Sequence, residues 1–234
     1  DTYMEGRLDE VRIYNRSLTP SEVQSLYSTS QHGSITNEWN AGGPVKPQLT
    51  ATDWNRPDAP GTSDLVGAWR LNEDHGLSSS GDTAGDWSGN GNDGTTKGGV
   101  NTHIDGAYDG SKAYRFDGID DYVRVRDDQS LDKDRVTVSA WFKLERGSLS
   151  FSGPVRSIIA RDDNQNERAW KIGVNDEGIY HAEMNANSRN VLEPSDNVET
   201  GIWTHVTLSY NGSTTRLYEN GKLLASASTS GTVN

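Results

Sequence analysis

From residue 64 onward, apolar and polar residues alternate in short runs broken by Gly, Asp and Asn. LVGAWRL (65–71) is followed by a long loop, GDTAGDWSGNGNDGTTKGG, and then by AYRFDG and DYVRVR around an IDD turn. RVTVSAWFKL has the clearest period of two: Val136, Val138, Ala140 and Phe142 share one face, while Thr137, Ser139 and Trp141 share the other. SIIAR (157–161) reads as a short buried run. WKIGVNDEGIYHAEMN reads as two strands around an Asn-Asp-Glu-Gly turn. WTHVTLSYN and TTRLYENGKLLASAS complete the series, and Asn220-Gly221 marks a two-residue hairpin. Many short antiparallel strands at regular spacing predict an all-β fold, a two-sheet antiparallel β-sandwich of the jelly-roll kind.

The first 30 residues have a different pattern. GRLDEVRIYN predicts a strand with Leu8, Val11 and Ile13 as candidates for burial. A short helix follows: Thr19 is its N-cap, Pro20 occupies the first helical position, and Glu22 completes a capping box. Val23, Leu26 and Tyr27 form its apolar stripe, and STSQHGS is expected to break it after one or two turns. Residues 31–63, with Gly42, Gly43, Pro44, Pro47, Pro57 and Pro60, keep no period and read as a linker. Trp39 and Trp54 within it predict a segment lying on a surface. The expected organisation is therefore a strand and helix over 1–30, a linker over 31–63 and a sandwich over 64–234.

Composition narrows the function classes. About a third of the residues (32%) are hydrophobic and there are seven Trp, enough for a packed core. The formal charge of −12 excludes a nucleic-acid partner, which needs a basic stripe. Turn chemistry accounts for the many Asp; adaptation to salt or to a calcium-rich exterior is the sharper alternative. With no cysteine there is neither disulfide nor thiol chemistry, and the five His lack metal-ligand spacing. No segment has the length of a membrane span.

FDGIDDYVRV, VTVSAWFK and GIWTHVTLSYNGSTTRLYENGKLLAS, in that order, resemble the laminin-G-like, concanavalin-A-like jelly-roll family of extracellular modules over most of residues 64–228. Units of that family end in a phrase similar to G-x-LDEVRIYNR-x-L followed by a short helix. Here that phrase is residues 6–18, at the opposite end. The resemblance implies that 1–30 close one such unit while 64–234 form a unit lacking its closing strand. The chain is expected to be either cut from a tandem array or permuted in order. The strand around 6–15, with Leu8, Val11 and Ile13, is expected to complete a sandwich and spare it an unpaired edge. The 33 residues from 31 to 63 span about 100 Å if fully extended, so both the same chain and a neighbouring copy are within reach. The rich Pro and Trp content mildly favours a neighbour.

Two turns carry candidate calcium chemistry. Asp86, Ser88, Asn90, Asn92 and Asp93 alternate oxygen side chains among glycines, as a cation needing six to eight oxygens requires. A series of Asx turns explains the same residues without an ion. Asp117, Asp120 and Asp121 crowd a second turn, and a cation would relieve their repulsion. The expected metal ligands are Asp86, Asn90, Asp93, Asp117 and Asp121, the two turns lying close together; the family often binds calcium. Asp9 and Glu10, as strand neighbours, are expected to point to opposite faces. Trp87, Trp170 and Tyr180 are candidate platforms for carbohydrate, whereas Trp69, Trp141 and Trp203 sit in strands as core, and His205 reads as a packing residue. No strand carries the alternating acids of a glucanase, and no phosphate loop or nucleophile elbow is present, so no catalytic residue is expected. The function expected is a non-catalytic extracellular structural or adhesive module, a repeat of a surface fibre or large adhesin whose partner is a neighbouring copy. The alternative is a calcium-assisted lectin-like module that binds carbohydrate.

Overall fold

The computed structural model describes residues 2–31, 62–108, 110–145, 155–162 and 168–233. In chain order the strands are β1 (Thr2–Tyr3), β2 (Glu5–Tyr14), β3 (Leu65–Trp69), β4 (Thr83–Ala84), β5 (Gly94–Lys97), β6 (Asn101–Asp105), β7 (Lys112–Asp117) and β8 (Tyr122–Val125). They continue with β9 (Val136–Leu144), β10 (Arg156–Asp162), β11 (Arg168–Val174), β12 (Tyr180–Ala186), β13 (Ser188–Leu192), β14 (Thr204–Tyr210), β15 (Thr214–Glu219) and β16 (Lys222–Ser228). One helix, α1 (Pro20–Gln31), follows β2. A five-stranded sheet runs β1-β10-β11-β12-β13, an eight-stranded sheet runs β16-β15-β14-β9-β2-β7-β6 with β3 also on β2, and β4-β5-β8 form a small third sheet. The jelly-roll sandwich expected from the alternation is what the chain builds.

The core lies between the two large sheets. Trp170, Ile172 and Val174 of β11 and Tyr180, Ala182 and Met184 of β12 face Val138, Ala140 and Phe142 of β9 and Val206 and Leu208 of β14 in one cluster. Asn220 and Gly221 both adopt positive φ, 50° and 77°, as the tight hairpin between β15 and β16 demands. In the 157–161 run only Ile158 is fully buried, the other residues of the run being half-exposed.

β2 lies in the middle of the eight-stranded sheet. One of its edges pairs with β9 from Gly6↔Leu144 to Tyr14↔Thr137. Its other edge is shared, with β7 taking Glu5–Leu8 and β3 taking Val11–Tyr14. Strict alternation would set Leu8 against Val11 and Ile13. A bulge between Asp9 and Arg12, with Glu10 at φ +50°, restores the phase, and all three join the core. The partner strands belong to the same chain. Residues 32–61 of the expected linker, with Trp39 and Trp54, lie outside the described residues.

α1 is longer than the one or two turns expected: it takes in Ser28–Gln31 and has 12 residues. Its capping box forms as read, Thr19 N donating to Glu22 Oε2 (2.8 Å) and Glu22 N to Thr19 Oγ1 (3.3 Å). The helix packs on the outer face of the eight-stranded sheet, where Val23 and Leu26 join Tyr14, Leu18, Leu65, Ala68 and Tyr218 in a second apolar cluster. Arg16 fastens this corner, donating to both Glu22 oxygens (2.6 and 2.9 Å) and to Asp64 Oδ2 (2.7 Å). These bonds, with Arg16 first among their causes, hold the Glu22 carboxyl down to about 2 from an ordinary 4.5. A depressed folded-state value stabilises above the unfolded one, so this contribution is full above about pH 4.5 and fades toward pH 2. The melting-temperature gap between wild type and Glu22→Gln should therefore be present at pH 6 and close as the pH falls to 2. A gap that persists at pH 2 would contradict this linkage.

Candidate functional site

The loop from Asp86 to Asp93 is tied to the protein by its own oxygens. Asp86 Oδ1 accepts from Ala68 N and Ser88 N (both 2.9 Å), and Oδ2 accepts from Ser88 Oγ (2.8 Å) and Asn92 N (2.9 Å). Asp93 Oδ1 accepts from Asp86 N (2.7 Å), and Asn90 Nδ2 donates to Leu65 O (3.0 Å). Four donors occupy the acceptor capacity of the Asp86 carboxylate, and Gly89 and Gly91 supply the positive φ that the Asx turns need. The loop is thus a staple onto β3. The expected convergence with the second turn is not found: among the described residues the carboxylates gathered within 4.8 Å are Asp117, Asp120 and Asp121, joined by neither Asp86 nor Asp93.

That second turn links β7 to β8. Asp121 is buried; its Oδ2 accepts from Asp117 N (2.9 Å) and its Oδ1 from Gly99 N. Asp117 Oδ1 accepts from Ile119 N (2.8 Å). Burial first, then the Asp117 and Asp120 charges, push the Asp121 carboxyl above its ordinary range despite those backbone donors. Asp117 and Asp120 are exposed. An all-oxygen donor set with one buried and two outward carboxylates suits a hard cation such as calcium, whose charge would offset the repulsion.

The aromatic candidates separate by burial. Trp170 (3% exposed) and Tyr180 (0%) point into the core, in phase with Ile172 and Ala182 along their strands, and cannot serve as platforms. Tyr180 spends its hydroxyl on Glu219 Oε1 (2.8 Å). Trp69 and Trp141 are core residues, and Trp203 is half-buried. Trp87 is 60% exposed, with the Arg70 guanidinium 4.4 Å from its ring centroid. Of the three candidate rings, Trp87 is the one whose indole is open at the surface.

Two charged clusters escaped the sequence reading. At the bulge in β2 both Asp9 and Glu10 are buried, and the Glu10 charge adds to the cost of ionising Asp9. Arg12 donates to Glu10 Oε2 (2.7 Å), while Asp9 Oδ2 accepts from Ala107 N (2.9 Å) and Ser111 Oγ (3.0 Å). Burial, then Glu10, drive the Asp9 carboxyl well above the ordinary range. The second cluster shows that an acid does sit on a strand. His181, Glu183 and Asn185 alternate on the face of β12 turned away from the core. Glu183 is buried and accepts from Arg189 Nε (2.9 Å) and Nη2 (3.2 Å) and from Asn185 (3.3 Å). His181 bridges it to Glu193, with Nδ1 2.7 Å from Glu193 and Nε2 3.5 Å from Glu183. The H-x-E-x-N alternation was the available signal. A bidentate arginine on Glu183 makes an ion-paired brace, not a free acid.

Comparison with known families settles the class of the chain. The model for the laminin G type 3 family, described as concanavalin A-like lectin/glucanases superfamily, matches residues 117–234, half of the chain. The chain belongs to this superfamily. Its match takes in the Asp117–Asp121 turn and β8 through β16, while β2, α1 and the Asp86–Asp93 loop fall outside it. No curated protein and no solved structure matches. In this laminin-G-like chain no helix among the described residues is long and apolar enough to cross a membrane.

Proposed function

We propose that the chain is a non-catalytic, extracellular adhesive module, a repeat of a surface fibre or large adhesin in which neighbouring copies of the same or a related domain are the main partners. The observation that carries this reading is the central position of β2. The phrase that closes a family unit comes first in this chain and still occupies the middle of the sheet. A unit whose closing strand leads can be strung in series by its linkers. The strand acid Glu183 is committed to Arg189, which supports a binding role over hydrolysis. Three copies joined in one polypeptide should give beads of even spacing in negative-stain micrographs and release no reducing ends from β-glucans. Hydrolysis, or a single merged particle without repeats, would contradict the reading.

Calcium-assisted carbohydrate binding is the second reading, supported by the Asp117–Asp120–Asp121 cluster and the exposed Trp87. Calcium bound only by the folded state stabilises it by about 2.7 kcal/mol at a hundredfold excess over Kd. Millimolar calcium should raise the melting temperature over chelator in the wild type and not in Asp120→Asn/Asp117→Asn. Equal melting temperatures in calcium and chelator would remove the ion from the account. For the sugar, Trp87→Ala should abolish glycan-array signal at unchanged melting temperature; signal retained in Trp87→Ala would clear this ring of the role.

A further inference from the structure

Beneath α1 the eight-stranded sheet presents a buried floor whose polar atoms lack partners. Strand register sets the residues in rows across the sheet. Asp9, Trp141 and His205 form one row. Arg12, Ser139, Thr207 and Tyr218 form the next. Asp9, Ser139, Trp141, His205, Thr207 and Tyr218 are each at most 2% exposed. Asp9 Oδ1, Trp141 Nε1, His205 Nδ1, Ser139 Oγ, Thr207 Oγ1 and Tyr218 Oη all lack a hydrogen-bond partner among the described residues. Buried polar groups are paired in the great majority of cases, and orphans scattered singly are the usual exception. Here six of them are contiguous.

The adjoining row shows that the chain can satisfy such a floor where it needs to. Thr137 Oγ1 accepts from Leu18 N (2.9 Å) and donates to Arg16 O (2.9 Å), while Ser209 Oγ meets Ser17 Oγ at 2.7 Å. The segment just before α1 supplies those partners, main chain for Thr137 and the Ser17 side chain for Ser209. Over the rows of Asp9 and Ser139 the helix instead brings apolar surface: Val23 and Leu26 cluster with Tyr218, and Tyr27 stacks on Trp141 at 5.6 Å and leans on His205 at 6.2 Å.

We propose that the two rows form a hydration site sealed beneath α1, with water as its ligand. The donor and acceptor chemistry selects that ligand. The Trp141 indole only donates, the three hydroxyls do both, and His205, held neutral by burial with a pKa lowered to about 3, presents either role at Nδ1. A set of mixed sign and small reach excludes a simple ion and suits a molecule that donates and accepts equally. A buried water makes about three hydrogen bonds, so six orphan atoms call for about two.

Two measurements test this on the whole chain. A high-resolution crystal structure should place ordered waters within about 3 Å of Thr207 Oγ1, Ser139 Oγ and Trp141 Nε1. Thr207→Val and Ser139→Ala, which keep the volume nearly constant, should each lower the melting temperature, because each deprives bound water of a partner. A dry floor in the density, with the side chains turned to pair directly with one another or with backbone, would overturn the proposal. An unchanged or raised melting temperature in both variants would overturn it too, since removing an unpaired hydroxyl from a dry site stabilises.

Discussion

Deleting residues 1–18 is expected to leave the rest of the chain unable to fold. β2 is hydrogen-bonded along both edges, to β9 on one side and to β7 and β3 on the other. Its loss exposes three strands at once and opens a trough where Leu8, Val11 and Ile13 meet the core. Burial of each such side chain contributes about 1.5–3 kcal/mol. The three together approach the 5–15 kcal/mol that holds a typical domain folded. The unpaired edges add an aggregation hazard. Circular dichroism should show no cooperative melt and size-exclusion chromatography should show aggregates. Adding a peptide of residues 1–18 should restore the melt. A truncated chain that stays a monomer with an unchanged melting temperature would refute the structural role given to β2.

Arg12→Met is the single substitution expected to cost most. Arg12 is part-buried, its side chain 13% exposed, and its guanidinium neutralises Glu10, itself 5% exposed, with buried Asp9 next to Glu10 in sequence. Removing one partner of a buried pair strands the other charge, at about 3–5 kcal/mol. The double variant Arg12→Met/Glu10→Gln should recover much of that loss, because the stranded carboxylate is gone, and the coupling appears as non-additivity in a double-mutant cycle. Urea denaturation of the wild type, both single variants and the double variant measures it. Additive losses, or an Arg12→Met midpoint equal to wild type, would show that the pair does not act as a unit.

What was legible in the sequence was local. The period-two run from Val136 to Leu144, the Asn220-Gly221 hairpin and the Thr19–Glu22 capping box each depend on residues a few positions apart, and all three form. The bulge was not legible, since alternation predicts a flat strand and only the spacing of Leu8 from Val11 hinted at an extra residue. Oxygen-rich turns were ambiguous in kind. An Asx turn and a calcium loop draw on the same Asp, Asn and Gly, and only the partners of Asp86 distinguish them. Trp170 and Tyr180 were readable in principle, each being in phase with apolar strand neighbours that share the core. Trp87, in the Asx loop, has no such phase. Pairings across long separations, such as Asp9 with Ser111 or Arg16 with Asp64, leave no trace in a single sequence.

The central claim is that β2 completes its own sandwich, and one cross-link tests it. Arg7 and Lys143 are paired across β2 and β9, at the roughly 4.5–5.5 Å Cα separation of antiparallel neighbours that a disulfide can bridge. The protein has no cysteine, so Arg7→Cys/Lys143→Cys introduces the sole pair. Under mild oxidation at low concentration, a non-reducing gel should show a monomer of increased mobility, with each single variant unchanged. Cross-linked dimers and higher species without the fast monomer would put β2 in a neighbour's sheet, and no cross-link of either kind would mean that β2 does not dock on β9.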